Sequence, residues 1–184
     1  KAENTYIHDT IIRNNSSDGL KLWGTGSKAV NILIYGRGDG VNNPTPWAAI
    51  VLQTEKANAN FTLEKVTVDD ALGGNYVVYI QYDHQNTPTT VTIKDSIFSS
   101  RGPDAHIFVG ASTNLTVNNS AFYFPNSDKV LEHGGTSYTY GNASYVTYNF
   151  SSLGTGNVYG DPLFVLPAWG TLGDYHLKSG SPAT

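Results

Sequence analysis

A lysine set among carboxylates is the grouping in this sequence best suited to moving a proton. In VTIKDSIFSS (91–100) Lys94 precedes Asp95, and the related phrase FTLEKVTVDD (61–70) carries Glu64 and Lys65 one repeat earlier. A lysine can act as a general base, and carboxylates can orient it or take the opposite role. Lys94, Glu64 and Asp95 are therefore the candidate catalytic residues. Opposite charges interleaved on a sheet face also form ordinary structural pairs, and that reading stands beside the first. The second phrase ends in Asp69-Asp70. Paired carboxylates can divide acid and base work or hold Ca²⁺, so these two are the candidate metal ligands. The plainer expectation is a turn pair exposed to water.

Aromatic side chains supply the other recognisable chemistry. Trp47 follows a proline-rich stretch in NNPTPWAAI, and Tyr79 sits within NYVVYIQYD. Rings of this kind present an apolar face and a polar edge, which suits stacking on sugars; core packing is the competing role for any single tyrosine. Arg37-Gly38-Asp39 forms an adhesive-type tripeptide in a glycine-rich stretch, a weak match on its own. The five histidines show no metal-ligand spacing.

These residues ride on a repeated phrase. Anchoring each copy at its first apolar position gives Thr5, Val30, Phe61, Val91, Leu115 and Val146, at intervals of 25, 31, 30, 24 and 31 residues. Periods of 20–50 residues signal stacked units that cover one another's apolar faces. Val91 and Ile93, Leu115 and Val117, and Phe61 and Leu63 alternate with polar residues, the period of a strand. Asp9-Thr10, Asp95-Ser96 and Asn119-Ser120 follow at one offset, a pairing that bonds its own backbone and favours a bend. The copy at Val30 lacks such a pair, and the third strand stays unassigned, because Leu20 and Leu22 align with His106 and Phe108. One residue of slip would exchange its faces. The expected fold is all-β, a right-handed parallel β-helix (β-solenoid) of about six rungs. Residues 1–153 form the rungs and 154–184 a closing segment of the same domain.

On such a sheet the residues one and three after the anchor face outward. Thr62, Thr92 and Thr116, with Thr147 in the copy beyond them, then form a ladder, with Glu64 opposite Lys94, strands being about 4.8 Å apart. The first three threonines, with Trp47 and Tyr79, are the candidate substrate-binding set. This face is either a polar track for a polysaccharide or a plain solvated surface.

Charge excludes some partners. Only 14% of residues are charged and the net charge is −4, a poor match to nucleic acid, which needs clustered cations. No apolar run approaches the ~18 residues of a membrane span. Cysteine is absent, so there is no disulfide framework or thiolate metal site. Seven Asn-x-Ser/Thr triplets, beginning at Asn14, Asn15, Asn60, Asn114, Asn118, Asn142 and Asn149, are potential glycan acceptors or chance products of composition.

GNVYGDPLFV (156–165) followed by GDYHLKSGSPA (173–183) resembles the closing segment of many secreted bacterial β-helix proteins of the pectate-lyase-like superfamily. With the repeats, the resemblance covers nearly the whole chain. It implies an extracellular or cell-surface domain that binds or acts on polysaccharide, with Ca²⁺ as the cofactor of any lyase chemistry. Asp69-Asp70 is faintly similar to the Asp-Asp pair of polygalacturonases, yet the Asn-Thr-Asp, Gly-His-Gly and Arg-x-Lys signatures of that family are missing. A lyase is thus a better expectation than a hydrolase. The alternative is a structural or adhesive surface module without catalysis. A chain opening at Lys1 inside a repeat is expected to be a piece of a longer precursor. Upstream rungs, or a second copy stacked head to tail, are expected to cover its first rung, and filaments would result from the latter.

Overall fold

A computed structural model describes residues 2–15, 18–36, 48–70, 76–82, 88–103, 105–127, 129–139, 153–167 and 172–184. The chain is all-β. It begins β1 (Tyr6–Arg13), β2 (Leu20–Trp23), β3 (Ser27–Tyr35), β4 (Ala48–Thr54), β5 (Asn60–Asp70) and β6 (Tyr76–Tyr82). Then come β7 (Thr89–Lys94), β8 (Ile97–Ser100), β9 (Ile107–Val109), β10 (Thr113–Asn118), β11 (Ala121–Tyr123) and β12 (Lys129–His133). The last four are β13 (Thr136–Thr139), β14 (Val158–Tyr159), β15 (Phe164–Leu166) and β16 (Asp174–Leu177). The repeat centred on Val146 and the Arg37-Gly38-Asp39 tripeptide lie outside the described residues.

Up to β12 the chain alternates between two sheets, with β7–β8 and β10–β11 each forming one row of the first. Sheet A runs β1-β3-β5-β8-β11-β14, with β7 and β10 continuing its rows; sheet B runs β2-β4-β6-β9-β12-β13. Every pairing within them is parallel except β12 with β13. Neither sheet closes on itself, and β15 pairs with β16 as a separate antiparallel two-stranded sheet. The apolar core lies between A and B and takes side chains from both.

Register on sheet A places Ser27, Phe61, Val91 and Leu115 in one column and Ala29, Leu63, Ile93 and Val117 in another. This corrects the anchor of the second repeat: Val30 stands opposite Glu64, and the anchor is Ser27. A search for apolar positions passes over a serine, yet Ser27 is fully buried because its hydroxyl donates to the Gly24 carbonyl at 3.1 Å. With the register corrected, the second repeat has its bend after all. Four residues past each anchor the backbone adopts positive φ, at Asp9 (50°), Asn31 (55°), Lys65 (52°), Asp95 (52°) and Asn119 (49°). Short Asx side chains tolerate this region best, which explains four of the five. The left-handed residue turns its own side chain to water and restores the inward phase one position later, so Ile32, Val66, Ser96 and Ser120 are buried.

Sheet B settles the unassigned third strand. Leu20, Ile50, Val78, Ile107 and Leu131 form one inward column, so Leu20 is equivalent to Ile107, not His106. The connection into β9 is one residue longer than that into β2, counted from the paired ends Arg13, Tyr35, Asp69 and Ser99. That single residue produced the apparent exchange of faces.

The C-terminal segment divides in two. Its β14 adds a last row to sheet A. The β15–β16 hairpin lies along the outer face of that sheet, where Tyr175 packs on Phe164 and Tyr35, with ring centroids 4.9 Å apart in each case.

Candidate functional site

The bend at positive φ splits each row of sheet A into two legs, and the legs have different outer faces. On the first leg Thr62, Thr92 and Thr116 occupy directly opposed positions, as do Glu64, Lys94 and Asn118. Lys94 Nζ lies 3.0 Å from Glu64 Oε1. Asn118 Oδ1 accepts the backbone N–H of Thr155 at 2.9 Å. The three threonines and the Glu64–Lys94 pair thus come together as expected, two residues apart along adjacent strands. Asp95 stands at the corner immediately beyond Lys94, exposed, and its Oδ1 accepts from Asn119 Nδ2 at 3.2 Å. Lys94, Glu64 and Asp95 are therefore neighbours, with the lysine ammonium directed along the sheet to Glu64.

The second leg is covered. Asp69, expected at an exposed turn, is the strand residue under the C-terminal hairpin and only 2% exposed; Asp70 is buried as well. The run of β5 continues through both; at Asp69, Tyr175 donates its hydroxyl to Oδ2 at 3.2 Å, and Arg101 lies 3.6 Å from Oδ1. Burial raises the Asp69 pKa above the ordinary 3.8, with the Asp161 charge adding to the rise; Arg101, Tyr175 and Ser99 oppose it. Consecutive strand residues point to opposite faces, so Asp69 and Asp70 do not present one chelating pair, and a guanidinium occupies the approach to Asp69 Oδ1. Ca²⁺ needs six to eight oxygens, and this pair as placed does not fit it. Among the described residues, no group of three or more His, Asp or Glu side chains is arranged to hold a metal.

Tyr79 lies on sheet B, away from the threonines. It is 8% exposed and stacks on Phe108 with centroids 4.7 Å apart and planes 13° apart; Tyr76 packs against both. Val51 and Ala48 complete this outer apolar patch. Burial, with Tyr76 close by, raises the Tyr79 pKa. A ring stacked along the sheet on its neighbour offers its edge, not its face, to a partner. Trp47 lies outside the described residues. The described members of the binding set are thus divided between two sheets, with Thr62, Thr92 and Thr116 beside the charged cluster and Tyr79 apart from it.

Three contributors escaped the sequence reading. Asn119 was visible as a bend residue but not as the partner of Asp95. Lys65 was counted as a charge, though its importance lies in its backbone. Tyr175 is 106 residues from Asp69, and no local pattern could have joined them.

No family model, no curated protein and no solved structure matches this chain.

Proposed function

We propose that the chain is a right-handed parallel β-helix domain, of the pectate-lyase-like kind, that works outside the cell and binds polysaccharide along the first leg of sheet A. The observation that carries the reading is the in-register column Thr62–Thr92–Thr116 beside Glu64–Lys94–Asn118. Evenly spaced hydroxyl, carboxylate, ammonium and amide groups on a rigid parallel sheet can bond the hydroxyls of an extended glycan over several sugar units. Strands that alternate between two parallel sheets support the β-helix part of the proposal. Binding is favoured over cleavage, because the ammonium that would serve as base points at Glu64 instead of the open face.

The test is retention by soluble polysaccharides, neutral and acidic, in affinity electrophoresis, followed by the triple variant Thr62→Val, Thr92→Val, Thr116→Val. Valine keeps the β-branched shape and removes the hydroxyl. Loss of retention in the variant supports the track. A wild-type protein that migrates unretarded through every polysaccharide ends the proposal.

A second reading, a structural module that grows by adding rows, draws on one observation. Among the described residues β1 and β2 end their sheets together, and the inward residues Ile7 and Ile12 of β1 are only partly buried. Sedimentation showing concentration-dependent rods would favour it; a monomer at all concentrations would remove it.

A further inference from the structure

The track does not end at the corner of sheet A. Beyond Asp95 and Asn119 the second leg presents an outward column in which Ile97, Ala121 and Val158 stand directly opposite one another. The tail of the C-terminal segment passes over this column at Pro182 without filling the space beneath. A cavity of about 440 Å³ remains between them, within the ~300–1,000 Å³ range of small-molecule sites. Its floor is the three aliphatic side chains, and its rim on the track side is Asp95 with Asn119.

We propose that this cavity is a subsite for one neutral sugar residue of the polysaccharide bound along the track, so the preferred ligand is a neutral glycan and not a polyuronate. The inference rests on the polysaccharide reading and narrows it. Three features carry it. A pyranose is amphipathic, with C–H groups for the Ile97–Ala121–Val158 floor and hydroxyls for a polar rim. Asp95 is exposed and uses Oδ1 on Asn119, and a carboxylate has a second oxygen with which to accept from a hydroxyl. Finally, Asp95 is the only ionisable side chain among the described residues of the lining, and its chain neighbour Lys94 is engaged by Glu64 on the adjacent row. A uronate carboxylate would face Asp95 with no cation in that lining, and unpaired like charges oppose binding.

The rim side chains are also braced. Asp95 and Asn119 both stand at positive φ at the corner, and the Asn119 carboxamide bonds Asp95. Gly156, itself at φ 71°, passes so close to the Asn119 carboxamide that any side chain there would collide with it. A preorganised rim loses little freedom when it receives a ligand.

The experiment is titration of the full chain with neutral tetrasaccharides of gluco, manno and xylo configuration and, separately, with tetragalacturonate, followed by calorimetry and amide chemical shifts. At least one neutral tetrasaccharide should bind, shifting the amides of Asp95, Ile97, Asn119 and Ala121. Asp95→Asn should weaken it about tenfold or more, the usual effect of removing a charged hydrogen-bond acceptor. Asparagine is at home in this corner, as Asn31 and Asn119 show, so the fold survives the change. Ala121→Leu, filling a floor position now only 3% exposed, should abolish binding at the cavity. Near-ultraviolet circular dichroism checks that both variants are folded. Tighter binding of tetragalacturonate, or neutral binding indifferent to both variants, overturns the subsite while leaving the track intact. Failure of the wild type to bind any oligosaccharide or parent polysaccharide removes both.

Discussion

Ser120 Oγ accepts the backbone N–H of Ser96 at 3.2 Å while donating to the carbonyl of Asn118 at 2.9 Å. The same device recurs a row earlier, where Ser96 Oγ accepts from Val66 N–H at 3.1 Å and donates to the Lys94 carbonyl at 2.7 Å. A row later Asn157 Oδ1 accepts from Ser120 N–H at 3.1 Å. At these three corners the left-handed residue interrupts the strand ladder, and a side-chain oxygen from the next row takes the N–H. The buried hydroxyls are thus joints between rows as well as local bends.

Ser120→Ala should therefore leave the Ser96 N–H buried without an acceptor. An unsatisfied buried donor costs about 1–3 kcal/mol, a loss readable as a lower urea midpoint. Ser120→Thr should be far milder, because Thr10 makes the same bond to its own i−2 carbonyl at 2.8 Å. An unchanged midpoint in the alanine variant would show that water serves the amide instead.

The corner column contains one misfit. Asn31 Nδ2 donates to Asp9 Oδ1 at 2.6 Å, and Asn119 Nδ2 donates to Asp95 Oδ1 at 3.2 Å, while Lys65 at φ 52° separates the two pairs. A lysine held left-handed is strained, and an asparagine is much less so. Lys65→Asn should raise stability by about 1 kcal/mol. The reciprocal Asn31→Lys should lower it by a similar amount and also release Asp9, whose carboxyl is held below its ordinary pKa first by Asn31 and then by His8. Equal midpoints for wild type and Lys65→Asn would mean the corner tolerates lysine without strain.

Much of this framework was legible in the sequence, for a definite reason. Strand alternation exposes columns such as Val91–Ile93 directly, and Asx-Ser pairs mark corners, so most registers and the Thr62–Thr92–Thr116 ladder could be written down in advance. The failures came where a polar residue fills an apolar column. Ser27 is buried by one bond to Gly24, and hydropathy shifted the anchor to Val30. Asp69 looked like a turn residue because the hairpin that covers it arrives from the far end of the chain. The division of Tyr79 from the threonines was hidden for a different reason: a repeat gives the order along a row but not which sheet each segment joins.

The Glu64–Lys94 pair should matter little to stability. Both side chains are partly exposed, and such pairs contribute about 0.2–1 kcal/mol in double-mutant cycles. Lys94→Ala, Glu64→Ala and the double variant should give a coupling in that range, shrinking as salt is added. A coupling well above it would assign the pair to the scaffold and remove it from the ligand track.

Asp69 should make stability fall as pH rises. Its folded pKa is raised above 3.8, chiefly by burial, so the native state holds this proton more firmly than the unfolded chain does. The contribution of Asp69 is most favourable below the unfolded value and is lost as pH climbs through the raised one. In urea melts from about pH 3 to pH 8, Asp69→Asn should lack this downward component, since its carboxamide oxygen can still accept from Tyr175. Tyr175→Phe should act in the other direction. It removes a donor to the ionised carboxylate, raises the pKa further, and extends the downward slope to higher pH. It also removes the hairpin's hydrogen bond to Asp69 while keeping the ring packing on Tyr35 and Phe164. Parallel stability curves for wild type and Asp69→Asn would show that Arg101 already compensates the buried charge in full.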